Sequence, residues 1–147
     1  MTITAKHALV TGGSRGIGRG IALKLADHGV HVAINYVKNE ASAKATLEQV
    51  RARGADGFTV QADVRQPAEV ERLLDRVRDE FGSLDILVAN ARPEAQTFYA
   101  TPMTITLGQW DTAMDSQAKA SLVGVRKAAT LMPDGGRIIA ISYAPGG

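Results

Sequence analysis

The stretch Thr11-Gly12-Gly13-Ser14-Arg15-Gly16-Ile17-Gly18 decides the fold. It follows the apolar run 8–10 directly and precedes a pattern typical of an amphipathic helix. Glycine has no Cβ, so it adopts positive φ and lets a ligand come close to the backbone. The next helix directs its free N–H groups and positive dipole end at the turn. This pattern predicts a phosphate-binding turn, for which a dinucleotide pyrophosphate is the usual ligand. A glycine-rich turn without a ligand is the alternative.

Length and composition favour one domain, residues 1–147, of a soluble globular protein. The chain is 45% hydrophobic and 22% charged, and no stretch approaches the ~18 consecutive apolar residues of a membrane span. The N-terminus has no apolar signal region, so we expect a cytoplasmic protein without membrane association. The 17 basic and 15 acidic residues are spread too evenly for nucleic-acid binding. Because there are no cysteines and the three histidines lack ligand-like spacing, we expect no metal site.

Short apolar runs alternate with helical patterns along the chain, which is typical of a parallel α/β sheet. We predict an α/β fold with a doubly wound parallel sheet, Rossmann-like, with five strands and helices on both faces. The segment 90–106 shows no periodicity and is predicted to be a long loop. The predicted strands are 7–11, 31–36, 57–62, 84–89 and 137–141, and the predicted helices are 15–28, 40–53, 67–81 and 107–132.

The end of the second predicted strand bears on the choice of cofactor. An acidic residue there would hold the ribose 2′-hydroxyl of NAD. Here the residues are Asn35-Tyr36-Val37-Lys38, without a carboxylate, and Arg15 adds a second cation in the glycine turn. Because cations suit a 2′-phosphate, the sequence favours NADP over NAD. The alternative is that both cations are solvated surface charges.

Two further pairs follow predicted strands. Asp63-Val64 comes after the third strand, where the carboxylate could accept the adenine amino group or simply begin a helix. Asn90-Ala91 comes after the fourth strand. An asparagine there can join neighbouring strands and face the cofactor, although alone it would be only a loop residue.

Together these motifs resemble the short-chain dehydrogenase/reductase family over the whole chain. The resemblance rests on the glycine turn, Asp63-Val64, the segment 84–91 and the segment 136–142. Within the family, the segments Ser14-Arg15 and Ile34-Asn35-Tyr36 resemble the corresponding segments of NADP-dependent 3-oxoacyl-carrier-protein reductases. The resemblance implies hydride transfer from a nicotinamide to a carbonyl or an activated double bond. The expected cofactor contacts are Gly12, Ser14, Arg15, Gly16, Ile17, Gly18, Asn35, Tyr36, Asp63, Val64, Asn90 and Ala91.

The chain departs from the family pattern at four places. Arg92 replaces the glycine of Asn-Asn-Ala-Gly, and Gln117 replaces the helix asparagine that follows Trp110-Asp111. Tyr143, after Ser142, stands where the active-site serine is usual. The family's Tyr-x-x-x-Lys pair does not occur in the 147 residues.

These departures affect the catalytic assignment. Ser142-Tyr143 resembles the enoyl-reductase branch, in which a phenol could hydrogen-bond an enolate oxygen. Packing of Tyr143 at a sheet edge is the alternative. We expect Tyr143, Ser142 and Gln117 to be catalytic in a reductase of 3-oxoacyl or enoyl thioesters, with a small-molecule or acyl-carrier-linked substrate. A non-catalytic dinucleotide-binding module or redox sensor is the other hypothesis.

The predicted fifth strand is apolar and would form an open edge, which natural sheets protect. We therefore expect further residues in the gene product or in a partner fragment. The family resemblance also implies a homo-oligomer, a dimer or tetramer, formed through the helix predicted at 107–132. Packing in the core explains the apolar residues of this helix equally well.

Overall fold

The computed structural model describes residues 3–94 and 101–142. They form one five-stranded parallel sheet in the order β3-β2-β1-β4-β5. The strands are β1 (His7–Val10), β2 (His31–Tyr36), β3 (Gly57–Gln61), β4 (Ile86–Ala89) and β5 (Arg137–Ala140). The helices are α1 (Gly16–Ala26), α2 (Glu40–Arg51), α3 (Pro67–Phe81), α4 (Leu107–Met114) and α5 (Ala120–Ala129). The predicted doubly wound fold is confirmed.

Alternation along β1 supplies apolar side chains to both faces of the sheet. Ala8 and Val10 belong to the core shared with α1 and α2, whereas Leu9 belongs to the core shared with α3 and α5. All three are fully buried. Strands covered on both faces have continuous apolar sequences, which explains the run that precedes the glycine turn.

One predicted helix is wrong in its detail. The segment 107–132 is two helices joined by a π-helical segment, Asp115–Lys119, and α5 ends at Ala129. Within this segment the buried Ser116 hydroxyl lies 2.7 Å from the Thr112 carbonyl oxygen and 3.2 Å from that of Ala113. Such side-chain bonds compete with the regular helix ladder. The apolar pattern gives no sign of this local widening.

The amino end of β4 also differs from the prediction, which began that strand at Leu84. The Leu84 N–H donates to the Leu131 carbonyl, outside the sheet ladder. Asp85 accepts the backbone N–H groups of Lys6 and His7 at 2.8 and 2.9 Å through its carboxylate. These bonds fasten the segment before β4 to the start of β1, and the strand itself begins at Ile86.

The expected exposed edge lies at β5. Among the described residues, β5 pairs with β4 alone, and its Ile138 and Ile139 side chains are 41% and 46% exposed. In the part of the chain that the structure describes, no helix has both the length and the apolar character needed to cross a membrane.

Candidate cofactor-binding site

The glycine turn connects β1 to α1 at the carboxyl edge of the sheet. Gly12 and Gly16 have φ of 62° and 54°, in the left-handed region that favours glycine. A Cβ on Gly18 would collide with the Gly12 carbonyl oxygen and lie 2.6 Å from Asn90 Nδ2. The helix therefore approaches the turn more closely than any side chain at this position would permit.

Thr11 and Asn90 join the ends of β1 and β4. The Thr11 hydroxyl accepts the N–H groups of Asn90 and Ala91, both at 3.0 Å, and donates to the Val88 carbonyl at 3.3 Å. The Asn90 amide donates to the carbonyl oxygens of Thr11 at 3.0 Å and Gly12 at 3.2 Å. Thr11 thus supports the turn although it is not among the expected cofactor contacts; its hydroxyl directly before the first glycine is the sequence signal for this role.

Asn35 lies beneath the turn and not on its surface. It is fully buried, and its side-chain oxygen accepts the Gly12 N–H at 3.1 Å. Its backbone oxygen accepts the Gly13 N–H at 3.0 Å, and its amide donates to the Ala62 carbonyl at 3.0 Å. The expected direct contact is thus replaced by a supporting one, because the protein itself surrounds this side chain. Its neighbour Tyr36 is 9% exposed.

The two cations that favour a 2′-phosphate both face solvent near this edge. Arg15 is exposed and stands just before α1 in an extended conformation. The Lys38 side chain is 86% exposed, with its ammonium nitrogen 3.9 Å from a Glu94 carboxylate oxygen. An ion pair so exposed contributes little free energy, so a more highly charged anion could replace Glu94 at Lys38.

Asp63 follows β3 and forms an ion pair with Arg65. The shortest contact, between Arg65 Nη2 and Asp63 Oδ2, is 2.6 Å. The hydrogen bond from Arg65 lowers the pKa of the Asp63 carboxyl below its usual value. The carboxylate is therefore a charged acceptor at neutral pH, while the next residue, Val64, is buried with 6% exposure.

A cavity of about 260 Å³ lies between the carboxyl ends of the central strands, α3, α5 and the π-helical segment. It brings Gln117 and Ser142 together with Thr11, Val64 and Ala91 along one lining. Ser116 and Ser121 also line it, and the remaining lining residues are apolar. The third expected catalytic residue, Tyr143, lies outside the described residues.

Gln117 lies in the π-helical segment, which the apolar pattern of residues 107–132 does not predict. Such segments occur frequently at functional sites because they redirect side chains within a helix. Ser116 holds this segment through its hydroxyl and also lines the cavity. In the described ranges no group of three or more acidic or histidine side chains is arranged to hold a metal ion.

Known proteins match this chain over nearly its whole length. A 3-oxoacyl-acyl-carrier-protein reductase FabG of Staphylococcus aureus is 41% identical over 127 residues, covering 86% of this chain and 50% of that protein. This chain spans about half the length of the curated relatives it matches.

Two solved structures share the fold. A short-chain dehydrogenase of Burkholderia cenocepacia in complex with NADP has a TM-score of 0.84 and 40% identity, covering 92% of this chain and 54% of that one. The landomycin C-6 ketoreductase LanV, with bound NADP and rabelomycin, has a TM-score of 0.84 and 40% identity, covering 94% and 58%.

The family model for short chain dehydrogenases matches residues 6–146. This range contains the glycine turn, the strand ends and the cavity described above. The chain belongs to the short-chain dehydrogenase family.

Proposed function

We propose that this chain binds NADP(H) and acts in a reductase of the short-chain dehydrogenase type. The observation that carries the proposal is the close approach of α1 to the turn at Gly18, where a Cβ would collide with the backbone. This approach brings the helix N-terminus to the place where a pyrophosphate is favoured. The two similar solved structures contain bound NADP, which supports the choice of cofactor.

Different residues of the site are proposed to contact different parts of the cofactor. The backbone from Gly12 to Gly18 holds the pyrophosphate, while Arg15 and Lys38 receive the 2′-phosphate. Asp63 accepts the adenine amino group, because the carboxylate stays charged beside Arg65. Asn90 and Asn35 fasten the turn from either side. When bound, the reduced cofactor supplies a hydride.

The proposed substrate is a 3-oxoacyl or enoyl thioester, bound at the cavity that Gln117 and Ser142 line. The similarity to a 3-oxoacyl-acyl-carrier-protein reductase supports the thioester class. The Gln117 amide can hold a water molecule for proton relay, and the Ser142 hydroxyl can donate to the substrate oxygen. The Tyr143 phenol is proposed to hydrogen-bond the enolate oxygen.

Steady-state assays of the full-length protein with NADPH test the reaction. A 3-oxoacyl thioester and an enoyl thioester of the same chain length form a matched substrate pair. Turnover of either thioester supports the reductase proposal. The thioester with the higher kcat/KM identifies the reaction as ketone or enoyl reduction. NADPH binding with no turnover of either thioester would contradict the reductase proposal.

A non-catalytic dinucleotide-binding module is the second candidate. One feature of the sequence favours it, since Arg92 stands where the family has glycine. We expect such a module to bind NADPH and NADP with similar turn contacts and without turnover. Any measurable thioester reduction that depends on Gln117 would exclude it.

We also propose a cytoplasmic homo-oligomer, a dimer or tetramer, formed through α4 and α5. Four large apolar side chains on these helices are between 37% and 54% exposed, namely Trp110, Met114, Leu122 and Val125. Large apolar patches commonly mark protein contacts. Sedimentation velocity of the wild type and of Trp110→Glu tests this, with dissociation of the variant as the expected result.

A further inference from the structure

A polar cluster beside the glycine turn joins α1, α2 and the turn itself. The backbone carbonyl of Ser14 lies 3.0 Å from Arg19 Nη2 on α1 and 3.0 Å from Thr46 Oγ1 on α2. Arg19 Nε also donates to Thr46 Oγ1 at 2.9 Å. We call these three residues the turn clamp.

The clamp is buried where it meets α2. Thr46 is 0% exposed and Ser14 is 8% exposed, while Arg19 is half-buried. The Thr46 hydroxyl lies 3.0 Å from both the Ser14 and Ser42 carbonyl oxygens, so it joins the turn to α2. Because unpaired buried polar groups are costly, this arrangement resists rearrangement.

The Ser14 carbonyl that the clamp holds lies directly before Arg15 in the chain. The Ser14 carbonyl and the Arg15 N–H belong to one planar peptide unit, so holding the carbonyl also holds the Arg15 backbone nitrogen and Cα, from which the side chain extends. On the other side, α2 begins at Glu40, two residues after Lys38. The clamp therefore ties the turn that carries Arg15 to the helix that follows Lys38.

We propose that Arg19 and Thr46 are positioning residues that set the preference for NADP over NAD. They act through Arg15 by holding its peptide unit and by keeping α2 against the turn. This inference rests on the proposed cofactor function. The Arg19 guanidinium forms no ion pair with a carboxylate of residues 3–94 or 101–142, and its hydrogen bonds go to the clamp.

Thr46→Val removes the clamping hydroxyl at nearly constant volume and charge. In fluorescence titrations of the full-length protein, we expect about a fivefold loss of NADPH affinity and less than about a twofold loss of NADH affinity. Thr46→Ser restores the hydroxyl and should restore the NADPH preference. Arg19→Lys keeps the positive charge but loses the planar fork, and should reproduce the Thr46→Val result.

The same substitution in an Arg15→Ala background separates positioning from general destabilisation. If the clamp acts through Arg15, Thr46→Val no longer changes the NADPH-to-NADH affinity ratio in that background. If the single variants Thr46→Val and Arg19→Lys both keep the wild-type NADPH-to-NADH affinity ratio, the proposed role of the clamp is wrong, while the proposed cofactor function is unaffected. A wild type with no NADPH preference overturns the proposed function, and the clamp with it. If Thr46→Val does not fold, Arg19→Lys and Thr46→Ser decide the result.

Discussion

The central strand β1 and the edge strand β5 differ in how fully their apolar side chains are buried. Leu9 in β1 is 0% exposed, with α3 and α5 packed over its face of the sheet, whereas Ile139 in β5 is 46% exposed. The polar groups of the turn are bonded to both neighbouring strands through Asn35 and Asn90. Within the described residues, the glycine turn is therefore held on both sides by the strands that flank β1, whereas β5 leaves apolar side chains exposed at the edge of the sheet.

The largest expected effect contrasts the two regions directly. Leu9→Ala removes a fully buried side chain from the centre of the sheet and should lower the free energy of unfolding by about 3–4 kcal/mol. Ile139→Ala should cost less than about 1 kcal/mol, because its side chain is already half-exposed. Urea denaturation of both variants measures the contrast, and equal losses would show that β5 is as well covered as β1.

The second prediction concerns the close approach of α1 to the turn. Gly18→Ala should destabilise the fold by about 2–3 kcal/mol, because its Cβ meets the Gly12 carbonyl and the Asn90 amide. Gly20→Ala is the matched control in the same helix, since no atom beyond the adjacent residues and the nearby helix backbone lies within 4 Å of its added Cβ. This control should stabilise the protein by about 0.5–1 kcal/mol. Similar unfolding free energies for the two variants would contradict the steric account of Gly18.

The smallest effect is expected at the amino end of β1, opposite the turn. His7 stacks on Phe81 with ring centroids 4.6 Å apart. Burial is the main cause that lowers the pKa of His7, against the opposing attraction of Asp85. The unfolded chain therefore binds a proton more readily, so the contribution of His7 is present above its unfolded pKa and is lost as the pH falls.

Unfolding free energies at pH 7.5 and 5.5 test this sign. The wild type should lose more stability on acidification than His7→Gln, which has no titrating ring. Equal losses in the two proteins would assign the pH dependence to other groups.

Much of the fold is readable from the sequence because its signals are local. Apolar runs predict the strands, and Gly54 and Gly82, with φ of 83° and 78°, follow helices near the residues where the pattern stops. The π-helical segment is not readable in this way. The Ser116 hydroxyl bonds to the Thr112 carbonyl within this segment, but serine makes the same bond in regular helices, so the sequence does not mark the segment.

The sequence predicts which strand ends form the site. It predicts the role of each side chain less well. Asn35 follows the pattern of a cofactor contact, but its position in the central sheet buries it among Gly12, Gly13 and Ala62. Thr46 belongs to no recognisable sequence motif, because its proposed positioning role arises from the packing of α2 against α1. Gln117 and Ser142 are far apart in the sequence, and both line one cavity.

The most direct test of the account is the affinity of Arg15→Ala for NADPH and for NADH, measured by fluorescence titration beside the wild type. Loss of a cation–phosphate contact should weaken NADPH binding by about 1.5–3 kcal/mol, with a much smaller change for NADH. That result would place the 2′-phosphate at the glycine turn. Equal and weak binding of both cofactors by the wild type, unchanged in the variant, would contradict the proposed site.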